Sequence, residues 1–359
     1  MAVVHGGDRG SFEINTFKNE ADRQFIDSTI TVFMQKYDIP GLSIAIARDG
    51  EFILAKGYGY ANVEQSLPVS LVHQFRIASL SKPITAVAVM TLVEQGRLSL
   101  DDKVFGSGGI LGIAYPPENA YVGMITVRHL LEHTAAPEWT NDNKDPMFRQ
   151  PELDKKSLVA WVLKTRTLGE PPGTRYAYSN LGYCILGLVI EEVTGVRYAD
   201  YARRAIFDPA GANSFALAGN KRGASPIEVT YYPHNDEDPY RFPIRRMDAH
   251  GGWIANAMDV VRFVMSTDGR SPPEDVLSPA SIQIMTTPSR LNKNQALGWN
   301  VNKNNNWWHI GELPGTSAIL VRTNDGYSWA VLTNKNSDDP DFPGELDGLT
   351  WKVIQGVSH

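Results

Sequence analysis

The sequence has little of three features: cysteine, net charge and long apolar runs. Its single cysteine, Cys184, excludes a disulfide within the chain and lies in an apolar run typical of a core residue. The formal net charge is −6, and no run of basic residues suggests a nucleic-acid partner. No apolar stretch reaches the ~20 residues that span a bilayer, and residues 1–17 lack the apolar core of a signal peptide. We therefore expect a cytoplasmic protein with no membrane span, or a periplasmic or secreted one if a signal was removed.

Strand patterns lie near both ends of the chain. An amphipathic helix over residues 19–36 precedes strands at Gly41–Ala47 and Phe52–Tyr60, with Asp49-Gly50 as a hairpin turn between them. Further strands are predicted at residues 296–301, 307–310, 317–323 and 327–333, before a last helix at 344–355. Between the two groups, helical patterns cover residues 127–133, 156–165, 181–193, 198–206 and 257–265.

This order predicts an α/β (α+β) fold, in which one antiparallel sheet is built from both chain termini and flanked by helices. Residues 1–85 together with 290–359 would form the sheet subdomain, and residues 86–289 would form an inserted, mostly helical subdomain. The site would lie between the two. The polar, aromatic segment 225–252 is long for a loop, which is typical of a segment that shapes a pocket.

A serine and a lysine stand three residues apart where a buried helix begins. Ser79 and Lys82 precede the apolar run Pro83–Val93, and residues three apart on a helix share one face. A serine hydroxyl needs an adjacent base to become a nucleophile, and a lysine amine can serve. The same short pattern also fits a helix N-cap followed by a solvated lysine.

Two more stretches accompany this pair, Pro171–Tyr183 and Trp307–Gly315. With Phe75–Lys82, and in this order, they resemble the serine β-lactamase-like family, which contains class C β-lactamases, penicillin-binding proteins, D-aminopeptidases and family VIII-type esterases. Ile125–Leu131 and Gly251–Trp253 match as well. The resemblance covers about residues 38–335 and implies a β-lactamase/transpeptidase-like fold.

The resemblance implies that Ser79 is the acyl-accepting nucleophile, with Lys82 as its amine partner and Tyr178 as the tyrosine of a Tyr-x-Asn motif. A free tyrosine, with a pKa of ~10, is a poor base near neutrality, but a nearby cation such as Lys82 favours tyrosinate. Tyr178 would then take the proton of Ser79, and Asn180 would orient Lys82 and the substrate carbonyl.

His309-Ile310-Gly311 lies where many relatives carry Lys-Thr-Gly. A neutral imidazole holds a substrate carboxylate more weakly than an ammonium does, so we expect a poor β-lactamase. Gly311 would let substrate approach the strand closely. The backbone amides of Ser79 and Glu312 would form the oxyanion hole, and the Glu312 carboxylate would disfavour acidic substrates or bind an amine.

His129, Glu132 and His133 form the pattern His-x-x-Glu-His, in which two histidines on one helix could bind zinc. A zinc metallopeptidase is therefore an alternative, as is a non-catalytic relative that only binds a ligand. The favoured prediction is a serine hydrolase that acts through an acyl-enzyme without metal or cofactor. Small esters are the first expected substrates, followed by D-aminopeptidase or amidase substrates, weak β-lactam hydrolysis and acyl transfer. The sequence does not indicate an oligomeric state.

Overall fold

The computed structural model describes residues 13–115, 119–139 and 145–357 of the chain. Its strands are β1 (Ile14–Asn15), β2 (Gly41–Arg48), β3 (Glu51–Asn62), β4 (Leu67–Pro68), β5 (Phe75–Arg76), β6 (Ala216–Leu217), β7 (Trp253–Ala255), β8 (Asn300–Val301), β9 (Trp307–Leu313), β10 (Thr316–Arg322) and β11 (Tyr327–Thr333). Its α-helices are α1 (Glu20–Lys36), α2 (Ser81–Glu94), α3 (Val127–Leu131), α4 (Lys155–Thr165), α5 (Asn180–Thr194), α6 (Tyr198–Ala202), α7 (Ala257–Met265), α8 (Pro279–Thr286) and α9 (Phe342–Gly356).

The main sheet joins the two ends of the chain. Its strands follow the order β1-β3-β2-β11-β10-β9-β8, each pair antiparallel, with β4 added beside β3. The central pair is β2 with β11, where Ile44 lies opposite Val331. Strands β5, β7 and β6 form a smaller sheet, and β5 leads into the segment that carries Ser79. The predicted fold class is confirmed.

Both faces of the main sheet are buried at its central strands β2, β11 and β10, because helices cover each face there. Successive side chains of a strand point to opposite faces. On β2, Leu42, Ile44 and Ile46 pack with α1 and α9, whereas Ala45 and Ala47 lie on the opposite face, against α7. Small residues on that second face let α7 approach the sheet.

The division into a sheet subdomain and a helical subdomain at residues 85 and 290 stays a prediction.

Helix α2 lies inside the protein. Every residue from Ser81 to Leu92 is buried, because apolar and small side chains surround the helix on all sides. Lys82 is the charged residue within this stretch, so its amine needs partners inside the protein.

No helix in the described part of the chain is both long and apolar enough to cross a membrane.

Some predicted elements have different bounds. The helix predicted at 127–133 ends at Leu131, because His133 takes a left-handed conformation with φ of 58°. The helix predicted at 198–206 divides into α6 and one π-helical turn at Arg203–Phe207. The strand predicted at 296–301 contains only β8, and the one predicted at 307–310 continues to Leu313 because it stays paired with β10.

Candidate active site

Ser79 lies in a 3₁₀ turn, Ala78–Leu80, that leads directly into α2. Ala78 adopts a left-handed φ of 46°, which costs a non-glycine residue about 1–2 kcal/mol. Neighbouring bonds hold this turn in place: the Ser81 hydroxyl donates to the Ala78 carbonyl over 2.7 Å, and the Ile77 amide donates to Trp253 over 3.1 Å. Ser79 itself is only half-buried, so its hydroxyl can be reached from outside.

Gly311 on β9 allows the strand to lie against this turn. A Cβ atom at position 311 would overlap with the Ile77 carbonyl oxygen and would lie 3.0 Å from the Ser79 amide nitrogen. The missing side chain therefore makes room for the backbone of the chain itself, whereas the sequence prediction assigned that room to substrate. The close approach places β9 directly beside the turn that carries Ser79.

The Lys82 amine connects three segments of the chain. Its Nζ donates hydrogen bonds to Ser79 Oγ (2.9 Å), to Asn180 Oδ1 (2.7 Å) and to the His250 carbonyl (3.2 Å). The His250 contact brings the end of the predicted pocket segment, residues 225–252, to the site. Burial lowers the pKa of Lys82 to about 7, although the Asp145 carboxylate opposes this shift. A large part of the population therefore carries a neutral amine near pH 7.

The Tyr178 phenol contacts the same serine from the other side. Its hydroxyl donates to Ser79 Oγ over 3.0 Å, and Lys82 Nζ lies 4.6 Å from the centre of its ring. Burial raises the pKa of Tyr178 above its usual range, so the phenol stays protonated in the resting site. The expected tyrosinate is therefore wrong for this state, because loss of solvent disfavours the phenolate.

Asn180 is the first residue of α5, and it links Lys82 to a carboxylate. Ser179 caps the helix by accepting a bond from the Gly182 amide, which leaves the Asn180 side chain free for the site. While Asn180 Oδ1 accepts from Lys82, its Nδ2 donates to Asp145 Oδ2 over 2.6 Å. The sequence prediction had not identified Asp145, since an Asp-Pro pair indicates only a helix start.

His309 on β9 lies beside the tyrosine, with 6.5 Å between the ring centres of His309 and Tyr178. It is only 3% exposed, and burial lowers its pKa to about 3, so the imidazole is neutral. Its Nδ1 lies 2.7 Å from the Ile310 carbonyl, which can only accept; Nδ1 therefore carries the proton and Nε2 carries a lone pair. Within the described residues Nε2 has no hydrogen-bond partner.

Glu312 follows Gly311 but is exposed. The Asn336 amide donates to its carboxylate over 3.4 Å, and partial burial raises its pKa. With Phe148 and Phe242, among others, it lines a cavity of about 380 Å³.

The geometry does not support the alternative zinc site at His129, Glu132 and His133. Because α3 ends at Leu131, His129 and His133 are not two positions on one helix. The Nδ1 atom of His129 accepts a bond from the amide at the start of its own helix, whereas the His133 ring is buried against Tyr178, with 4.4 Å between ring centres. Among residues 13–115, 119–139 and 145–357, no group of three or more His, Cys, Asp or Glu side chains could hold a metal ion, and this includes Glu132 with the two histidines.

The structure thus brings Ser79, Lys82, Tyr178 and Asn180 into one hydrogen-bonded group, with His309 beside it. Their catalytic roles stay predictions. Sequence reasoning missed two hydrogen-bond partners of this group, Asp145 and the His250 carbonyl. His250 could have been found, because it directly precedes the Gly251–Trp253 stretch that matches the family.

Comparison with known proteins gives matches over nearly the whole chain. A model of the Beta-lactamase family matches residues 26–349. Penicillin-binding protein 4* of Bacillus subtilis (strain 168) is 26% identical in an alignment of 366 positions, which covers 94% of this chain and 77% of that protein. An octameric penicillin-binding protein homologue from Pyrococcus abyssi is 26% identical with a TM-score of 0.75, covering 93% of this chain and 78% of the other. D-amino acid amidase from Ochrobactrum anthropi SV3 shares the fold at 22% identity, with a TM-score of 0.76 and coverage of 94% and 98%. The range matched by the family model contains every residue of the group described above.

Proposed function

The chain belongs to the Beta-lactamase family, and we propose that it is a serine hydrolase that cleaves small esters or amides through an acyl-enzyme on Ser79. The observation that carries this proposal is the pair of hydrogen bonds on Ser79 Oγ, one from the Lys82 amine and one from the Tyr178 phenol. A serine held between two proton carriers, half-buried at the start of a rigid helix, has the arrangement that nucleophilic catalysis requires.

In the proposed acylation Lys82 is neutral, so the bond between Ser79 Oγ and Lys82 Nζ runs from the serine hydroxyl, and Nζ accepts that proton as Oγ attacks the substrate carbonyl carbon. The bond to the leaving oxygen or nitrogen then breaks, and the Tyr178 phenol gives the leaving group its proton. The tyrosinate formed at this point lies beside the new Lys82 ammonium, 4.6 Å from the ring centre, which stabilises it. Tyrosinate therefore belongs to the acyl-enzyme in this scheme and not to the resting site.

Deacylation returns each proton to its origin. Water attacks the acyl carbon and gives one proton to the Tyr178 phenolate, while the departing Ser79 oxygen takes a proton from the Lys82 ammonium. Every proton in this cycle is carried by substrate, water or a side chain of this protein. The amides of Ser79 and Glu312 are the proposed oxyanion donors, which the close approach of Gly311 to the Ser79 amide supports.

The protonation state of His309 supports neutral substrates over those with a carboxylate beside the reacting carbonyl. A neutral imidazole holds a substrate carboxylate more weakly than an ammonium does, and with a pKa of about 3 the His309 ring does not become cationic near neutrality. We therefore place carboxylesterase activity first and β-lactam hydrolysis as a weak side reaction. Amidase activity is the second candidate, favoured by the structural likeness to D-amino acid amidase. Acyl transfer shares the same acyl-enzyme and is distinguished only by its acceptor.

A substrate panel tests the proposal. Hydrolysis of p-nitrophenyl esters with short acyl chains, of D- and L-amino acid amides and of a chromogenic β-lactam would be measured for the wild-type protein and for Ser79→Ala. Exposed Ser107→Ala serves as a matched control for loss of a serine hydroxyl. We expect ester turnover in the wild type and the control and none in Ser79→Ala. Turnover that persists in Ser79→Ala would contradict the assignment, and a wild type without turnover of any compound would favour a ligand-binding relative.

A further inference from the structure

We propose that Asp145 is a positioning residue, which fixes the side-chain orientation of Asn180 and, through it, the Lys82 amine; the inference rests on the serine hydrolase function proposed above. Asp145 is only 5% exposed, and it contacts neither Ser79 nor Tyr178 in the hydrogen-bond network of the described residues. It would therefore act on the chemistry indirectly, by orienting Asn180 and by the effect of its charge on Lys82.

The first step of the inference concerns the two ends of the Asn180 amide. A carboxylate only accepts hydrogen bonds, so the end of the amide that faces Asp145 Oδ2 at 2.6 Å must be the NH₂ group. The carbonyl end is then turned toward Lys82 Nζ, 2.7 Å away. Without the carboxylate the amide could rotate and present its NH₂ group to the lysine, which would replace an attraction by a repulsion.

The second step concerns charge. The Asp145 carboxylate raises the pKa of Lys82 and so opposes the lowering by burial, and Lys82 in turn favours the ionised form of Asp145. The balance between the two effects decides how much neutral amine exists near pH 7. The titratable and charged groups that influence this pair include Tyr178, Tyr183, His133, His250 and His309 around Lys82, and Arg166 beside Asp145.

Asp145 also has a local structural role that the test must separate. Its other oxygen, Oδ1, accepts a bond from the Met147 amide over 2.8 Å and so caps the short 3₁₀ helix Pro146–Phe148. The two oxygens have different partners, so the cap and the contact with Asn180 can be separated by substitution. Asp145→Asn keeps the size of the side chain and removes its charge. Asp145→Ser keeps a capping oxygen but is too short to reach Asn180 in the same way.

The first measurement is the pKa of Lys82, obtained from an NMR titration of protein labelled with ¹³C at the lysine Cε. The Lys82 signal is assigned as the one that is missing from the spectrum of Lys82→Met. We expect both Asp145 variants to lower this pKa by about one unit, because a nearby opposite charge is lost. Asp259→Asn is the matched control: this carboxylate is also buried, at 3% exposure, but it bonds to the Ser214 amide and to Arg262 instead. The control should leave the pKa of Lys82 unchanged.

The second measurement is the rate at which a fluorophosphonate acylates Ser79 as a function of pH. In Asp145→Asn the acidic limb of this profile should move down by about one pH unit. In Asp145→Ser the rate on the plateau should also fall roughly tenfold, because Asn180 loses the partner that orients it. Variants that are folded by circular dichroism, yet keep both the pKa of Lys82 and the acidic limb of the wild type, would overturn the proposal. If the wild type is not acylated at all, the hydrolase function fails, while the pKa of Lys82 still decides the role of Asp145.

Discussion

Replacement of Lys82 by methionine removes the buried amine while keeping a side chain of similar length. In the wild type, burial lowers the pKa of Lys82 from its usual 10.5 to about 7. At pH 7 about half of the molecules then carry the neutral amine, whereas an ordinary lysine is neutral in fewer than about one molecule in a thousand. Methionine cannot accept the Ser79 proton, so we expect acylation to slow by a factor of about 10²–10⁴.

The same substitution changes how stability depends on pH. Because the pKa of Lys82 is lower in the folded protein, the unfolded chain binds more protons at this residue between pH 7 and 10.5. The wild-type free energy of unfolding should therefore rise with pH in this window, by about 2 kcal/mol between pH 7 and 9 from this residue. Lys82→Met has no such proton, so its free energy of unfolding should lack this rise.

The assay is urea unfolding of both proteins at pH 7, 8 and 9, together with the rate of acylation by a fluorophosphonate. The comparison uses the slopes with pH, since methionine also removes the hydrogen bonds to Ser79 and Asn180 and so shifts the absolute stability. Parallel slopes would show that the pKa of Lys82 is ordinary in the folded protein. Acylation at the wild-type rate would refute the role of Lys82 as the base.

Three further substitutions test other parts of the site. Tyr178→Phe should slow acylation by about 10²-fold or more, because the leaving group loses its proton donor. The acidic limb of the pH profile of acylation should stay near pH 7, and an unchanged rate of acylation would contradict the role of Tyr178. Gly311→Ala should lower the free energy of unfolding, measured with urea, by about 1–3 kcal/mol and should slow acylation, because the alanine Cβ would overlap with the Ile77 carbonyl. A variant as stable as the wild type would count against the close approach of β9 to this turn. His309→Lys should raise the ratio of kcat/KM for a carboxylate-bearing β-lactam to that for a neutral ester by about tenfold, because an ammonium attracts a carboxylate more strongly than a neutral imidazole does. A constant ratio would refute this account of substrate preference.

The sheet could be predicted because its signals are local. Asp49 and Gly50 both take positive φ values, 50° and 84°, as a tight hairpin turn requires, and they connect β2 to β3 as their order in the sequence suggests. The end of α3 could not be predicted in this way. His133 leaves the helix where its Nδ1 accepts a bond from the Ser179 amide over 3.0 Å, and that partner lies 46 residues further along the chain.

The candidate site shows the same division between local and distant contacts. The spacing of Ser79 and Lys82 places them together on one stretch of chain, and the resemblance to a known family added Tyr178 and Asn180. Asp145 was missed because its contact with Asn180 joins residues 35 positions apart. The protonation states of Lys82 and Tyr178 follow from burial, which depends on the packing of several elements and is not visible in a motif.

The most direct test of the central claim is the mass of the intact protein after exposure to a fluorophosphonate, followed by peptide mapping of the adduct. We predict one adduct per chain, located on Ser79 and absent from Ser79→Ala. An adduct on another residue, or none in a wild-type protein that hydrolyses esters, would contradict Ser79 as the nucleophile.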